Sequence, residues 1–156
     1  MRQLLYLFML ILLTASIAGC QKDNIILIDP IETADSEDLI ANTAFTQTVH
    51  VAFSTDGNAT VVGDNDDFAV TVNGNDVTIV YTGEEYVMYE LSGTTPDGFF
   101  KLYSAKKQGI TLNNVNITNP NGAAINVQGT VSEPSKGKRT FIVLNGENSL
   151  TDGISY

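Results

Sequence analysis

The run Phe99–Gln128, FFKLYSAKKQGITLNNVNITNPNGAAINVQ, and the run Arg139–Asn148, RTFIVLNGEN, say nearly the same thing twice. Gly109-Ile110-Thr111-Leu112-Asn113 leads through Asn114 to Val115-Asn116-Ile117. Thr140-Phe141-Ile142-Val143-Leu144-Asn145 leads through Gly146-Glu147-Asn148 to Ser149-Leu150. Each copy reads aliphatic, β-branched, Leu, Asn, then a short polar bend and another aliphatic. Leu112 and Leu144, and with them Asn113 and Asn145, lie 32 residues apart. A unit that recurs at such a period and cannot bury its apolar face alone is expected to stack on its neighbour. The expected fold class is therefore all-β: a right-handed parallel β-helix (β-solenoid), incomplete at its C-terminus, with a β-sandwich as the alternative.

Working backward from this pair, turn signals arrive about every ten residues, and no stretch of helical period follows the first twenty. Ser54–Asn58 with Asp56-Gly57, Gly63–Asp67, Asn73-Gly74, Ser92-Gly93 and Thr94–Gly98 separate short β-rich runs. Asn73-Gly74 is the strongest of these turns. The strands between them are expected to be three to five residues long, without long hairpins. Asn113 and Asn145 follow the aliphatic run in both copies. Asn tolerates left-handed backbone at a corner, and stacked amides can hydrogen-bond along the stacking direction. The Gln128–Lys138 insert, QGTVSEPSKGK, is expected to project as a loop from one corner.

Met1–Gly19 carries Arg2 and an apolar Leu4–Leu13 run, too short for the about 20 residues of a bilayer span, and is expected to be an export signal. Ile17-Ala18-Gly19-Cys20 resembles the bacterial lipobox, which implies cleavage before Cys20 and lipid attachment to it. Several acyl chains, at about 0.8 kcal/mol per buried CH₂, anchor a protein stably. The expected locations are the cell envelope, outer membrane or cell surface. Residues 20–47 form an acidic tether with Asp23, Asp29, Glu32, Asp35, Glu37 and Asp38. Residues 48–156 form the folded domain.

The chain of 156 residues has a net charge of −10, which becomes −11 if Arg2 leaves with the signal. That excess of acid argues against nucleic acid, whose binding is driven by Lys and Arg on phosphates. One Cys excludes an intrachain disulfide. Any zinc site or Ser–His–Asp triad would rest on His50 alone, and His50 reads as a structural strand residue. The text Asp64-Asn65-Asp66-Asp67 superficially suggests an EF-hand loop, but position six is Ala69 and position twelve is Asn75, so it fails.

Several motifs occur in a fixed order: VxFSxDGxATVxGD over 51–64, DVTIxYxGxxYVMYELSG over 76–93, a TPDG turn, ITLNNVNITNPNGAAINV over 110–127, and FIVLNGENSLTDG over 141–153. Together they resemble the bacterial carbohydrate-binding β-helix domains of secreted and surface-anchored proteins. The resemblance implies polysaccharide binding without catalysis, and a relative of this kind binds calcium and acidic, pectin-like glycan. Such domains continue for more coils, so the chain is expected to be the N-terminal part of a longer protein.

On this reading Asn114, Asn116, Lys101 and Lys106 are the candidate carbohydrate-binding residues. The amides would meet sugar hydroxyls and the lysines a uronate carboxylate. Asp97 and Asp152 are the candidate calcium ligands, because turns on neighbouring rungs would lie about 4.8 Å apart and two carboxylates so close need a cation between them. Parallel β-helices also include polysaccharide lyases, so a lyase is the rival. It would need a base and a cation at the reacting carbon, and only Arg139 and the lysines are available. A purely structural or adhesive surface module is the third reading.

Overall fold

Strands form where β-branched and aromatic residues alternate with polar ones, and Gly, Asn or Asp interrupts each run. The computed structural model describes Ser36 and residues 39–154. The expected export signal, Cys20 and most of the tether lie outside the described residues. Ten strands follow one another: β1 (Gln47–Phe53), β2 (Thr60–Val62), β3 (Phe68–Asn73), β4 (Asp76–Tyr81), β5 (Val87–Thr95), β6 (Phe99–Ser104), β7 (Gln108–Asn119), β8 (Ile125–Gln128), β9 (Thr140–Asn145) and β10 (Ser149–Asp152). The only helical pieces among the described residues are short 3₁₀ turns, such as Ile40–Asn42 and Pro134–Lys136. The all-β class expected from the sequence is the class observed.

Two mixed sheets result. One runs β10-β7-β5-β1-β2 with β9 also on β7, and the other runs β3-β4-β6-β8. The pairings β1–β5, β5–β7, β7–β9, β7–β10, β4–β6 and β6–β8 are all parallel. Parallel neighbours require a crossover rather than a tight hairpin, and the chain supplies it by alternating between the sheets: β4 to β5, β5 to β6, β6 to β7, β7 to β8, β8 to β9. The expected stacking of the two similar runs is found in register, with Ile110 opposite Ile142, Leu112 opposite Leu144 and Asn113 opposite Asn145.

Two features depart from the sequence reading. Only β2, β8 and β10 keep to the expected length; seven of the ten strands are longer than three to five residues, and β7 has 12. Its first half pairs β9 and its second half pairs β10, so one unbroken strand carries both halves of the later copy. Antiparallel pairs also occur where the domain begins: β1 with β2, and β3 with β4 as a hairpin from Phe68↔Tyr81 to Asn73↔Asp76. The Asn73-Gly74 turn signal is what closes that hairpin.

The core lies between the sheets. Val49, Val51, Tyr89, Leu91, Ile110, Leu112, Val115 and Ile117 face inward from one sheet, and Val77, Ile79, Phe100 and Leu102 from the other. Along β4 and β6 buried and half-buried positions alternate without exception, the period of two that one-sided burial demands. Phe68, Tyr81, Tyr89 and Phe100 make an aromatic chain through this interior, with ring centroids 4.6 Å apart for Phe68–Tyr81 and 5.8 Å for Tyr89–Phe100.

The bend after the repeated Leu-Asn is made one residue later than expected. The left-handed residues are Gly93 (φ 85°), Asn114 (φ 51°) and Gly146 (φ 72°), not Asn113 and Asn145. Each directly follows the aligned trio Ser92, Asn113 and Asn145, and Asn114 is the extra residue of a bulge between β5 and β7. A bulge that admits a left-handed residue bends its strand, so one bend recurs at successive levels. Asn113 and Asn145 instead form the amide ladder. Asn145 Nδ2 donates to Asn113 Oδ1 at 3.2 Å, and Asn113 Nδ2 donates to Glu90 Oε1 at 2.7 Å. His50 sits on the same outer face, exposed, with Nδ1 3.5 Å from Glu90 Oε2.

A groove over three stacked connectors

The parallel pairings place the connectors of one sheet edge over one another. Residues 82–86 join β4 to β5, residues 105–107 join β6 to β7, and residues 129–139 join β8 to β9. Because β5, β7 and β9 start in register at Val87, Gln108 and Thr140, the three connectors lie side by side at the same ends of their strands.

Each connector is fastened by its own sequence. In the first, the buried Tyr81 hydroxyl accepts from Glu85 N and donates to Glu85 O, both at 3.1 Å. Burial pushes the Tyr81 phenol above its ordinary range, partly offset by the Glu85 backbone bond. In the second, Ser104 Oγ accepts from Lys106 N at 3.1 Å. In the third, Gly129 N donates to Pro134 O at 2.7 Å, and Thr130 Oγ1 accepts from Glu133 N at 3.0 Å. The connectors are also tied to one another. Lys106 Nζ pairs with the Glu84 carboxylate, Gln108 N donates to Arg139 O at 3.2 Å, and Thr46 N, just before β1, donates to Tyr86 O at 3.1 Å. The Glu84 carboxylate holds the Lys106 ammonium above the usual lysine range.

Two clefts open along this edge. The larger, about 530 Å³, is lined by Tyr86, Ala105, Lys106, Lys107, Gly137, Lys138 and Arg139. The smaller, about 300 Å³, is lined by Tyr81, Thr82, Gly83, Glu84, Ala105, Lys106 and Thr130. Both lie within the about 300–1,000 Å³ typical of small-molecule sites. They share Ala105 and Lys106, so they adjoin as the two parts of a groove across the connectors. Tyr86, 37% exposed, is the aromatic surface at its wall. In a chain of net charge −10, four cations line one cleft.

A family model described as carbohydrate-binding domain-containing protein matches residues 73–156, more than half of the chain. The chain belongs to this family. Neither the curated proteins nor the solved structures gave a match. The match to the carbohydrate-binding domain runs from the end of β3 onward, so all three connectors and the whole groove fall inside it.

Of the candidate glycan residues, only Lys106 lies in this groove. Lys101 projects from the middle of β6, its Nζ 5.2 Å from the centroid of the Tyr103 ring, and lines neither cleft. Asn114 sits at the bend, donating to Asn113 Oδ1 and accepting from Glu147 N. Asn116 is exposed beyond the bend, opposite Thr94 and Ser149. From Gln108 to Asn114 is about 20 Å along the strand. The expected set is therefore spread over three places. Lys106 and Lys107 lie about 30 residues from Lys138 and Arg139 in the chain. Their union, with Tyr86, depends on the register between β7 and β9.

Asp97 and Asp152 lie at the opposite ends of the strands. Asp152 pairs with Asn119 of β7, and its Oδ1 accepts from Ala124 N at 2.8 Å. Asp97 belongs to the turn after β5, on the other side of β7, so two strand spacings, on the order of 10 Å, separate the two. They are not on neighbouring rungs. Calcium takes six to eight oxygens at about 2.3–2.6 Å, and this pair does not fit one shared ion. Among the described residues no group of three or more His, Cys, Asp or Glu is placed to hold a metal. Asp97 instead faces Asp76, whose carboxyl is raised first by burial and then by the Asp97 charge.

Proposed function

We propose that the chain is a non-catalytic polysaccharide-binding module, exported and lipid-anchored through Cys20 to the bacterial cell envelope, which grips an acidic, pectin-like glycan in the groove over the three connectors. The single observation behind this reading is that cations and an aromatic ring converge in a groove inside the matched region of a carbohydrate-binding family. In this reading the parallel ladders β1–β5–β7–β9 and β4–β6–β8 are flanks of a right-handed parallel β-helix, and the connectors are one of its corners. A groove along the stacking direction suits a linear polymer, since each further level extends it. Calcium enters this reading as a counter-ion among the carboxylates of the glycan itself, because Asp97 and Asp152 lie at the far ends of the strands from the groove.

Lys106 favours binding over cleavage. A lysine that removes a proton needs a lowered pKa, and Glu84 shifts Lys106 the other way. The test is retention of the full chain on immobilised polygalacturonate and on neutral glycans, with and without EDTA, while following unsaturated-uronate absorbance. Retention without new absorbance is expected. New absorbance would make the protein a lyase, and no retention on any glycan would leave a structural surface module.

A further inference from the structure

We infer that the groove takes one anionic sugar residue beside one neutral residue, and so selects a glycan of alternating charge over a polyuronate without needing calcium. This deepens, and rests on, the reading of the groove as the glycan site.

The two halves of the groove differ in charge. The larger cleft gathers Lys106, Lys107, Lys138 and Arg139 around Tyr86. Lys107 and Arg139 are each engaged in a further contact, but a lysine has three N–H donors and an arginine five, so each can also serve a second acceptor. A carboxylate placed there meets cations from two connectors at once, and the sugar face lies against an aromatic ring. That is charge-assisted recognition by the protein itself.

The smaller cleft offers the opposite environment. Its only cation is the shared Lys106, which is bound to Glu84. The Glu84 side chain is 85% exposed, so its carboxylate faces whatever occupies this half. The other polar groups are the hydroxyls of Thr82 and Thr130, the Tyr81 hydroxyl being engaged by the Glu85 backbone. A second uronate here would meet no cation beyond the shared Lys106, whose charge Glu84 offsets, whereas a neutral sugar would meet hydroxyls and a carboxylate acceptor. Glu84 thus acts as a repulsive element, and discrimination built on repulsion is a difference between affinities rather than a gain for either ligand.

The experiment compares three oligosaccharide probes of equal length with the full chain in EDTA: a homopolymer of uronate, a strict uronate–neutral alternation, and a neutral chain. Alternating probe should bind at least about threefold more tightly than homouronate, the scale of one exposed charge contact. Glu84→Gln should narrow that gap, strengthening homouronate more than the alternating probe, because it removes the only carboxylate lining either cleft. Lys138→Gln, on an exposed loop, should weaken the alternating probe about two- to fivefold. Homouronate binding as well as the alternating probe in EDTA would overturn the inference while leaving glycan binding intact. Equal binding of the neutral probe would do the same. If no probe binds, with or without calcium, the functional reading itself fails. Unchanged far-ultraviolet circular dichroism excludes unfolding of either variant.

Discussion

Replacing Gly93 by alanine tests the stacked bend directly. Gly93 sits at φ 85°, and a Cβ built there would lie 2.2 Å from Phe53 O, 3.1 Å from its carbonyl carbon and 3.2 Å from its nitrogen. All three atoms are backbone of β1, so no side chain can swing away. The left-handed conformation alone costs a non-glycine residue about 1–2 kcal/mol. Relieving the contact requires parting β1 from β5, at the about 1–3 kcal/mol typical of overpacking. The sum is about 2–5 kcal/mol, a large share of the about 5–15 kcal/mol that holds an ordinary domain. Gly74 supplies the control. Its φ is +62°, but nothing lies within 4 Å of an added Cβ, so Gly74→Ala should cost only the conformational part, about 1–2 kcal/mol. The two differ by the contact part, about 1–3 kcal/mol, so at about 4 °C per kcal/mol for a domain of this size thermal melts should place Gly93→Ala roughly 4–12 °C below Gly74→Ala. Equal melting temperatures would mean that β1 and β5 do not approach so closely at the bend, and the column of aligned left-handed residues would lose its basis.

Further outcomes follow from the same geometry. Leu112 and Leu144 are register partners, yet Leu112 is 5% exposed and Leu144 is 70% exposed. Leu112→Ala should therefore cost about 2–5 kcal/mol and Leu144→Ala less than about 1 kcal/mol in urea unfolding; similar costs would contradict the burial of one and not the other. Asn148 Oδ1 accepts from the buried Val115 N at 2.9 Å, so Asn148→Ala should lose about 1–3 kcal/mol by leaving that donor unpaired, and a neutral result would mean that water replaces it. The Asp76 carboxyl is raised by burial and by Asp97 above its ordinary 3.8. A raised folded-state value means the folded chain holds the proton longer, so ionised Asp76 opposes folding as pH rises through that value, and the penalty disappears below 3.8. Asp76→Asn should raise the melting temperature slightly at pH 7 and leave it unchanged near pH 3; a gain of equal size at both would refute the electrostatic cause.

How much of this was legible in the sequence differs between strand and corner. The stacking of Leu112 on Leu144 could be read because both copies carry Ile, a β-branched residue, Leu and Asn in the same order, 32 residues apart. The hairpin β3–β4 was marked by Asn73-Gly74, yet the reading expected no long hairpin, because a turn signal does not give the number of paired residues flanking it. The bend was misplaced by one residue for a physical reason. Either Asn of the Asn113-Asn114 pair tolerates left-handed backbone, and only the bulge against Ser92 and Gly93 selects the second. Position-by-position reading of one strand cannot see a bulge, which is a property of two.

The groove was less legible than the fold because its parts are connectors of unequal length. The first and second are short and tied through Glu84 and Lys106. The third is long and folds back on itself through Gly129 and Pro134. Strand register fixes where all three begin and end, while their lengths and charges stay free to vary without disturbing the core. That separation assigns stability to alternating residues such as Ile110 and Leu112 and, under the proposed function, recognition to residues such as Tyr86, Lys107 and Lys138, which belong to no periodic pattern. A search of the sequence for the site would therefore do better to mark the turn-bounded segments that a common register must bring to one edge, and then ask which share a charge, than to look for polar residues inside the repeated strands, where Asn114 and Asn116 first drew the eye.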